Sequence, residues 1–312
     1  MKPWRALALY LAVVIVFSTL TAPWVYALLQ CLARSPEGPG VLGAWEFREV
    51  LNRVLLLSAI AGAVILLRLQ NSLTLETLGL ARSPLASKHL LLGACVAGLS
   101  VVVVMLVGFV TGAFQWDRDL TVPHTIQVGL VTLLIAGVVA VSEEFFFRGC
   151  LLGWLRQRTP VMLALVVVTC FYAICHFMNV PKSKASHSEK TIQDEVRWNS
   201  GVEMIARYGE RLAQDSAWVQ RFAMLVFVGL ALGWCFLKTS RLYLSIGLHG
   251  GWVFAGKMMT FLTDTNRVES NWWFGYGKTI GSPITIVVVA SVFVFMTWIC
   301  RQPIIRGASR QG

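Results

Sequence analysis

Long apolar stretches separated by short polar segments make up most of this 312-residue chain. A helix needs roughly 20 apolar residues to cross the hydrocarbon core of a bilayer, within a range of about 17–25. Eight stretches come near that length, and the second, which is the shortest, is flanked by Arg53 and Arg68, whose stems can reach the membrane interfaces. We therefore predict an all-α fold, a polytopic membrane helical bundle of about eight transmembrane helices. The stretches cover residues 6–29, 54–67, 90–114, 126–141, 161–178, 222–237, 242–256 and 283–300.

One longer polar segment, residues 179–221, interrupts this pattern between the fifth and sixth stretches. Ser200 and Glu203 have the spacing of a helix capping box, and apolar residues then recur at helical intervals between charged ones. The pattern predicts an extramembrane amphipathic helix that lies at the membrane surface. A plain connector and an element that gates substrate entry are both open interpretations of it. The recurring apolar residues are Val202, Ile205, Tyr208, Leu212 and Val219.

Composition and charge support an integral membrane protein. Apolar residues make up 56% of the chain and charged residues only 14%, against about 25% charged residues in soluble domains. The net charge of +11 does not indicate a nucleic-acid partner, because the basic residues cluster at the ends of the apolar stretches. By the positive-inside rule both termini face the cytoplasm, and we expect one multi-pass domain, residues 1–312, in the inner (plasma) membrane of a bacterium. The basic clusters are Lys2 and Arg5; Arg68, Arg82 and Lys88; Arg156 and Arg158; Lys238 and Arg241; and Arg301, Arg306 and Arg310.

The fourth stretch continues apolar to residue 155 apart from three charged residues, so five ionisable side chains lie inside apolar segments. A charge there costs about 2.5–3.5 kcal/mol even on the most lenient scale and usually serves a function. Glu144 and Arg148 are four residues apart, with the acid first, which predicts an ion pair across one helical turn. Glu143 points about 100° away around the same helix, so the pair leaves its carboxylate available. The other two ionisable residues are His176 and His249.

Counting along the chain places some of these side chains at one depth in the membrane. The natural reversal after the fourth stretch is at residues 157–160; Glu143 lies about 16 residues before it and His176 about 17 after it. Two antiparallel helices then bring both to the same level. His249 follows the next turn on that side by about nine residues, which is compatible with the same depth. Three glycines around His249 are expected to allow a close approach of helices: Gly247, Gly250 and Gly251.

A carboxylate and two imidazoles at one depth fit two mechanisms. In the first, Glu143 is the general base for a water and the imidazoles of His176 and His249 donate hydrogen bonds to a developing oxyanion. In the second, the same three side chains bind a divalent metal ion that activates the water. The sequence contains neither an HExxH nor a CxxC motif, so the metal mechanism depends on residue types alone. We expect no cofactor, with a divalent metal as the open alternative.

Three motifs in this order carry a resemblance to a known family. Residues 143–148 read EEFFFR and match EExxxR, residues 172–176 read YAICH and resemble FxxxH, and His249 lies where HxxxN is expected. In order and spacing, residues 126–256 resemble the glutamic-type intramembrane proteases related to CAAX prenyl endopeptidases and bacteriocin-processing proteins, the CPBP family. The resemblance implies an all-helical membrane fold and peptide-bond hydrolysis within a membrane cavity.

The resemblance also implies a role for each candidate residue. Glu143 would activate the water, and His176 would help to hold that water or the oxyanion. His249 would contribute to the oxyanion site, and Arg148 would organise the acidic pair of Glu143 and Glu144. The expected substrate is a membrane-anchored or lipidated protein or peptide in the lipid bilayer.

One position departs from the family pattern. Val253 occupies the place of the Asn that normally follows the second histidine by four residues. Because a Val side chain cannot donate a hydrogen bond, one oxyanion contact is lost or comes from elsewhere, and the loss of such a donor typically costs about 2.7–4 kcal/mol. The alternative hypothesis is therefore a non-catalytic relative that binds a peptide or lipid, such as an immunity or chaperone-like protein.

Overall fold

The computed structural model describes residues 3–35, 43, 45–117, 120–177, 195–214, 218–264, 273–274 and 281–302. These residues form nine helices and one two-stranded antiparallel ribbon. The helices are α1 (Pro3–Arg34), α2 (Phe47–Leu69), α3 (Ala86–Val110), α4 (Val122–Leu155), α5 (Val161–His176), α6 (Ser200–Gln214), α7 (Trp218–Thr239), α8 (Tyr243–Leu262) and α9 (Pro283–Ile299). The strands are β1 (Gln115–Trp116) and β2 (Thr263–Asp264).

The eight predicted spans each correspond to a helix, which confirms the all-α membrane bundle. Five helices are long and apolar enough to cross a membrane (α1, α2, α3, α4 and α7), while α5 and α9 are shorter apolar helices. The helix of the short second span, α2, has 23 residues because it begins seven residues earlier and ends two residues later than the predicted stretch. Its first turn is polar and starts with a capping box between Glu46 and Glu49, so hydropathy alone missed it.

Helix α4 contains a segment that the sequence did not predict. Its first part, Val122–Glu144, is α-helical, and Phe145–Leu152 then forms a π-helix, whose hydrogen bonds run from residue i to i+5. Two glycines in and after this segment allow the turn around Thr77 and Leu78 to pack against it. A Cβ on Gly149 would lie 3.0 Å from the Leu78 carbonyl oxygen, and one on Gly153 would overlap the Thr77 carbonyl. The π segment therefore begins directly after the two glutamates, where a loop packs against the helix.

The chain divides into two compact units, and the first consists of Met1–Asn71 and Ile174–Ser216. Its core joins α1, α2 and the predicted amphipathic helix α6, whose Met204 and Tyr208 are buried against Ala22 and Phe47. The capping prediction at α6 is wrong in detail: Ser200 is already helical, and its Oγ accepts a hydrogen bond from a backbone amide of the preceding turn at 2.8 Å. Residues 179–194 and 215–217 of the predicted segment 179–221 lie outside the described residues.

The second unit, Ser72–Ala173 and Ala217–Gly312, contains the close helix contact that the glycines predicted. Helix α8 packs against α3 and α4. A Cβ on Gly93 would lie 2.5 Å from the Leu244 carbonyl oxygen, and one on Gly247 would overlap the Leu90 carbonyl. Glycine at these positions lets the backbones of α3 and α8 touch. Gly250, by contrast, faces α4 at an ordinary contact distance. The α3–α8 contact fixes the rotation of α8, and with it the direction of His249.

The ribbon β1–β2 joins the last residues of α3 and α8. Gln115 pairs with Asp264 and Trp116 with Thr263. Phe114, the residue before β1, packs in a buried cluster with Met259 near the end of α8. The parallel pair α3 and α8 is thus held at both ends, by backbone contact at the start and by the ribbon at the finish.

Candidate active site

Helix α4 brings two adjacent carboxylates to different environments. The side chain of Glu144 is completely buried, whereas that of Glu143 keeps 23% of its surface accessible. Adjacent residues on a helix point in different directions, so only one of the two faces the packed interior. Glu143 is consequently the more accessible of the two carboxylates.

The buried Glu144 is neutralised by the predicted ion pair. Arg148 Nη1 donates to Glu144 Oε1 at 2.8 Å, and Arg148 Nη2 donates to the Gly229 carbonyl on α7 at 3.4 Å. Both side chains are buried, so each charge requires its partner and further hydrogen bonds. Arg148 therefore ties the start of the π segment to α7 and holds Glu144 in one position.

His249 on α8 lies between the two carboxylates. Its Nδ1 is 2.8 Å from Glu144 Oε1, and its Nε2 is 3.8 Å from Glu143 Oε2. Because Arg148 donates to the same Glu144 oxygen, that oxygen is an ionised acceptor and the proton of the hydrogen bond belongs on Nδ1. Glu144 thus orients the imidazole, and Nε2 is directed at Glu143. The structure thus brings His249 next to both glutamates, an arrangement that the residue counts allowed.

Tyr172 on α5 forms a wall of this site, a role that sequence reasoning missed. The Arg148 guanidinium carbon lies 4.5 Å from the centroid of the Tyr172 ring, within the range of a cation–π contact. The same ring meets the His249 imidazole edge-to-face, with centroids 6.3 Å apart and planes at 83°. Gly229 makes room for it, since a Cβ there would lie 3.3 Å from the Tyr172 ring. The available signal was the aromatic residue one turn before His176 in the motif.

The remaining candidate, His176, is the last residue of α5 and is half-buried. It belongs to the first unit, whereas Glu143, Glu144, Arg148 and His249 all belong to the second. His176 follows Tyr172 by four positions, so the two lie on one face of α5. The equal depth of His176 and Glu143 stays a prediction.

The metal mechanism requires several potential ligands close together. Among the residues that the structure describes, no three His, Cys, Asp or Glu side chains are grouped to hold a metal ion. Glu143 Oε2 and His249 Nε2, 3.8 Å apart, form one pair of potential ligands. Catalytic zinc sites usually use three protein ligands. The donor set of the second unit is thus incomplete by itself, and the metal hypothesis depends on His176 as a third ligand.

The departure at Val253 is also visible in the structure. Val253 lies one turn after His249 on α8 and is half-buried. The neighbouring Trp252 Nε1 donates to Ser100 Oγ at 3.0 Å, so this indole is already bonded to α3. Neither residue supplies the side-chain amide that an Asn would place there.

Comparison with known families gives one match. Residues 125–255 match the family model described as type II CAAX prenyl endopeptidase, Rce1-like. This range agrees with the predicted core, 126–256, and contains every candidate site residue named above as well as Val253. A comparison with curated proteins gives no match.

Proposed function

We propose that this membrane protein, whose residues 125–255 belong to the family of type II CAAX prenyl endopeptidases, hydrolyses a peptide bond of a membrane-anchored or lipidated protein or peptide. One observation carries the proposal: Oε2 of Glu143, whose side chain keeps 23% of its surface accessible, lies 3.8 Å from Nε2 of His249. The ring of His249 is itself held by the buried pair of Glu144 and Arg148. A reachable base beside a fixed hydrogen-bond donor is what water attack on a carbonyl requires.

In the first step Glu143 acts as the general base. Its carboxylate takes a proton from a water as the water oxygen bonds to the carbonyl carbon of the scissile peptide. The carbonyl π electrons move to oxygen and form a tetrahedral oxyanion. Glu143 then gives the proton to the leaving nitrogen as the C–N bond breaks, which regenerates the carboxylate. A well-placed general base contributes about 10²–10⁴-fold to the rate.

His249 is proposed as the donor to the oxyanion. With Nδ1–H bonded to Glu144, a proton on Nε2 makes the ring an imidazolium. The cluster then contains two carboxylates, one guanidinium and one imidazolium, and its net charge is zero. When Glu143 takes the proton and the oxyanion forms, the net charge stays zero. In a low-dielectric interior this constancy avoids the large cost of creating an isolated charge.

His176 is proposed to hold the water or share the oxyanion, as the family resemblance implies. The support for it is the spacing on α5, where it follows the wall residue Tyr172 by one turn. Should Glu143, His176 and His249 instead bind a metal, strong chelation would abolish activity and zinc would restore it. Activity that persists in chelated, metal-free protein would exclude that mechanism.

The substrate proposal rests on the membrane setting and on the family description. Five helices are long and apolar enough to cross a membrane, and the matched family is described as type II CAAX prenyl endopeptidase. A prenylated C-terminal tail, a C-terminal sorting helix and a membrane-bound peptide precursor all fit a membrane-anchored substrate. We further propose, from the positive-inside pattern, that both termini are cytoplasmic and that the membrane is a bacterial inner membrane.

Val253 favours the second candidate function, a non-catalytic relative that binds a peptide or lipid. The test compares purified wild-type protein with Glu143→Gln on a farnesylated, fluorophore-labelled C-terminal peptide. The protease hypothesis predicts cleavage by the wild type and none by Glu143→Gln, at equal thermal stability. Equal cleavage by both proteins would refute the role of Glu143. Peptide binding without cleavage by the wild type would favour the binding protein.

A further inference from the structure

One end of the second unit carries a concentration of positive charge. At this end α4 and α7 finish and α3, α5 and α8 begin. The Arg158 guanidinium donates to Ser72 Oγ at 2.8 Å and the Leu242 amide donates to the Gly79 carbonyl at 3.0 Å, so three turns of the chain meet here. In residues 72–89, 153–163 and 236–245 of the sequence, the single carboxylate is that of Glu76. The same segments contain Arg82, Lys88, Arg156, Arg158, Lys238 and Arg241.

Three of these cations rest on aromatic rings. Cation–π contacts restrict a long, flexible side chain to one region. The rings belong to the last turns of α4 and α7, so both the rings and the cations are fixed to helix ends. The contacts are Arg156 over Phe236 at 4.7 Å, Lys238 over Trp234 at 4.4 Å and Arg158 over Trp154 at 5.4 Å.

Arg156, Arg158 and Lys238, which we call the cationic rim, all lie at this end of the second unit. Arg156 follows the last residue of α4 and contacts Phe236, which is two residues before Lys238 on α7. Both helices are long and apolar enough to span the membrane. Aromatic and basic residues at the ends of spans lie at the level of the lipid headgroups. The cationic rim is therefore at the headgroup level of one leaflet.

We propose that the cationic rim binds the phosphate headgroups of anionic phospholipids. Guanidinium groups pair with phosphate oxygens through two parallel hydrogen bonds, and an ammonium group adds a point charge. Attraction to an anionic leaflet corresponds to about fivefold in affinity for each basic residue near the surface. An acidic protein segment is the competing partner, but lipids are always present at this level of the membrane. The proposal does not depend on the proposed protease activity.

The test measures lipid retention by native mass spectrometry. Purified full-length protein in neutral detergent is mixed with equal amounts of phosphatidylglycerol and phosphatidylcholine that have identical acyl chains. We expect the wild type to retain phosphatidylglycerol preferentially. The triple variant Arg156→Gln, Arg158→Gln and Lys238→Gln should lose at least tenfold of that preference, because about fivefold is expected from each of the three cations.

A matched triple variant controls for net charge. Arg197→Gln, Arg207→Gln and Lys257→Gln lie outside the rim and lower the net charge from +11 by the same three units to +8. This variant should keep the preference of the wild type. Equal retention of the two lipids by the wild type, or an equal loss in both variants, would overturn the proposal.

Two further measurements keep the result interpretable. Thermal unfolding in neutral detergent tests whether the rim variant is folded; if it is not, Lys238→Gln alone replaces it, because this side chain is exposed. Lys238→Gln should then lose about fivefold of the preference for phosphatidylglycerol over phosphatidylcholine. A second outcome would assign the surface to a protein partner instead. In that outcome an acidic peptide binds through the cationic rim, and the rim variants leave the lipid preference unchanged.

Discussion

Replacing Glu144 by Gln should destabilise the protein far more than the same change at Glu143. Glu144 Oε1 accepts from Arg148 Nη1 and from His249 Nδ1, each at 2.8 Å, and its side chain is fully buried. Gln keeps the shape but removes the negative charge, which leaves the buried guanidinium without compensation. Removal of one partner of a buried ion pair costs about 3–5 kcal/mol of the free energy of unfolding. For Glu143→Gln, with 23% of the side chain accessible, we expect a cost below about 1 kcal/mol.

A double variant tests the physical cause. In Glu144→Gln with Arg148→Met, both charges are absent and no uncompensated charge is buried. Replacement of a whole buried pair by uncharged side chains is often close to neutral. The double variant should therefore be more stable than Glu144→Gln alone, although it has one more substitution.

The assay is reversible unfolding in mixed detergent micelles, followed by the fluorescence of the 12 tryptophans. Near-equal destabilisation by the two single Gln variants would refute the division of roles between the glutamates. A double variant less stable than Glu144→Gln would show that charge compensation is not the reason.

Three further predictions concern Tyr172, Gly247 and Val253. Tyr172→Phe keeps the aromatic ring, which lies 4.5 Å from the Arg148 guanidinium carbon, and should therefore keep kcat. Tyr172→Leu removes the ring and should lower kcat about tenfold. A loss of kcat in Tyr172→Phe would assign the role to the hydroxyl group instead. Gly247→Ala should destabilise by about 1–3 kcal/mol in the unfolding assay, because its Cβ would overlap the Leu90 carbonyl. Gly256→Ala has open space at the Cβ and serves as the control, so equal effects would contradict the contact argument. Val253→Asn should raise kcat/KM by up to about 100-fold on the peptide substrate, and an unchanged value would show that no donor is missing at this position.

Much of the fold was predictable because a membrane allows few solutions. A span must satisfy its backbone hydrogen bonds internally, so each long apolar stretch becomes a helix. The start of α2 was missed because its capped first turn is polar. The ion pair of Glu144 and Arg148 was predictable from local spacing alone, since four residues make one helical turn.

The bond between His249 and Glu144 could not be predicted from the sequence. It depends on the rotation of α8, which the close contact of Gly247 with α3 determines. Spacing along the chain gives depth but does not give the direction in which a side chain from another helix points. The π segment Phe145–Leu152 escaped prediction for a related reason, since the loop that packs on Gly149 and Gly153 is distant in sequence.

The most direct test of the central claim compares the termini of membrane proteins in cells that express the wild type or Glu143→Gln at equal levels. Terminal peptides are enriched and identified by mass spectrometry. If Glu143 activates water for peptide-bond hydrolysis, new termini appear only with the wild type, on membrane-anchored or lipidated proteins. New termini that appear equally with Glu143→Gln, or identical termini in the two cultures with both proteins folded and the native substrates present, would contradict the claim.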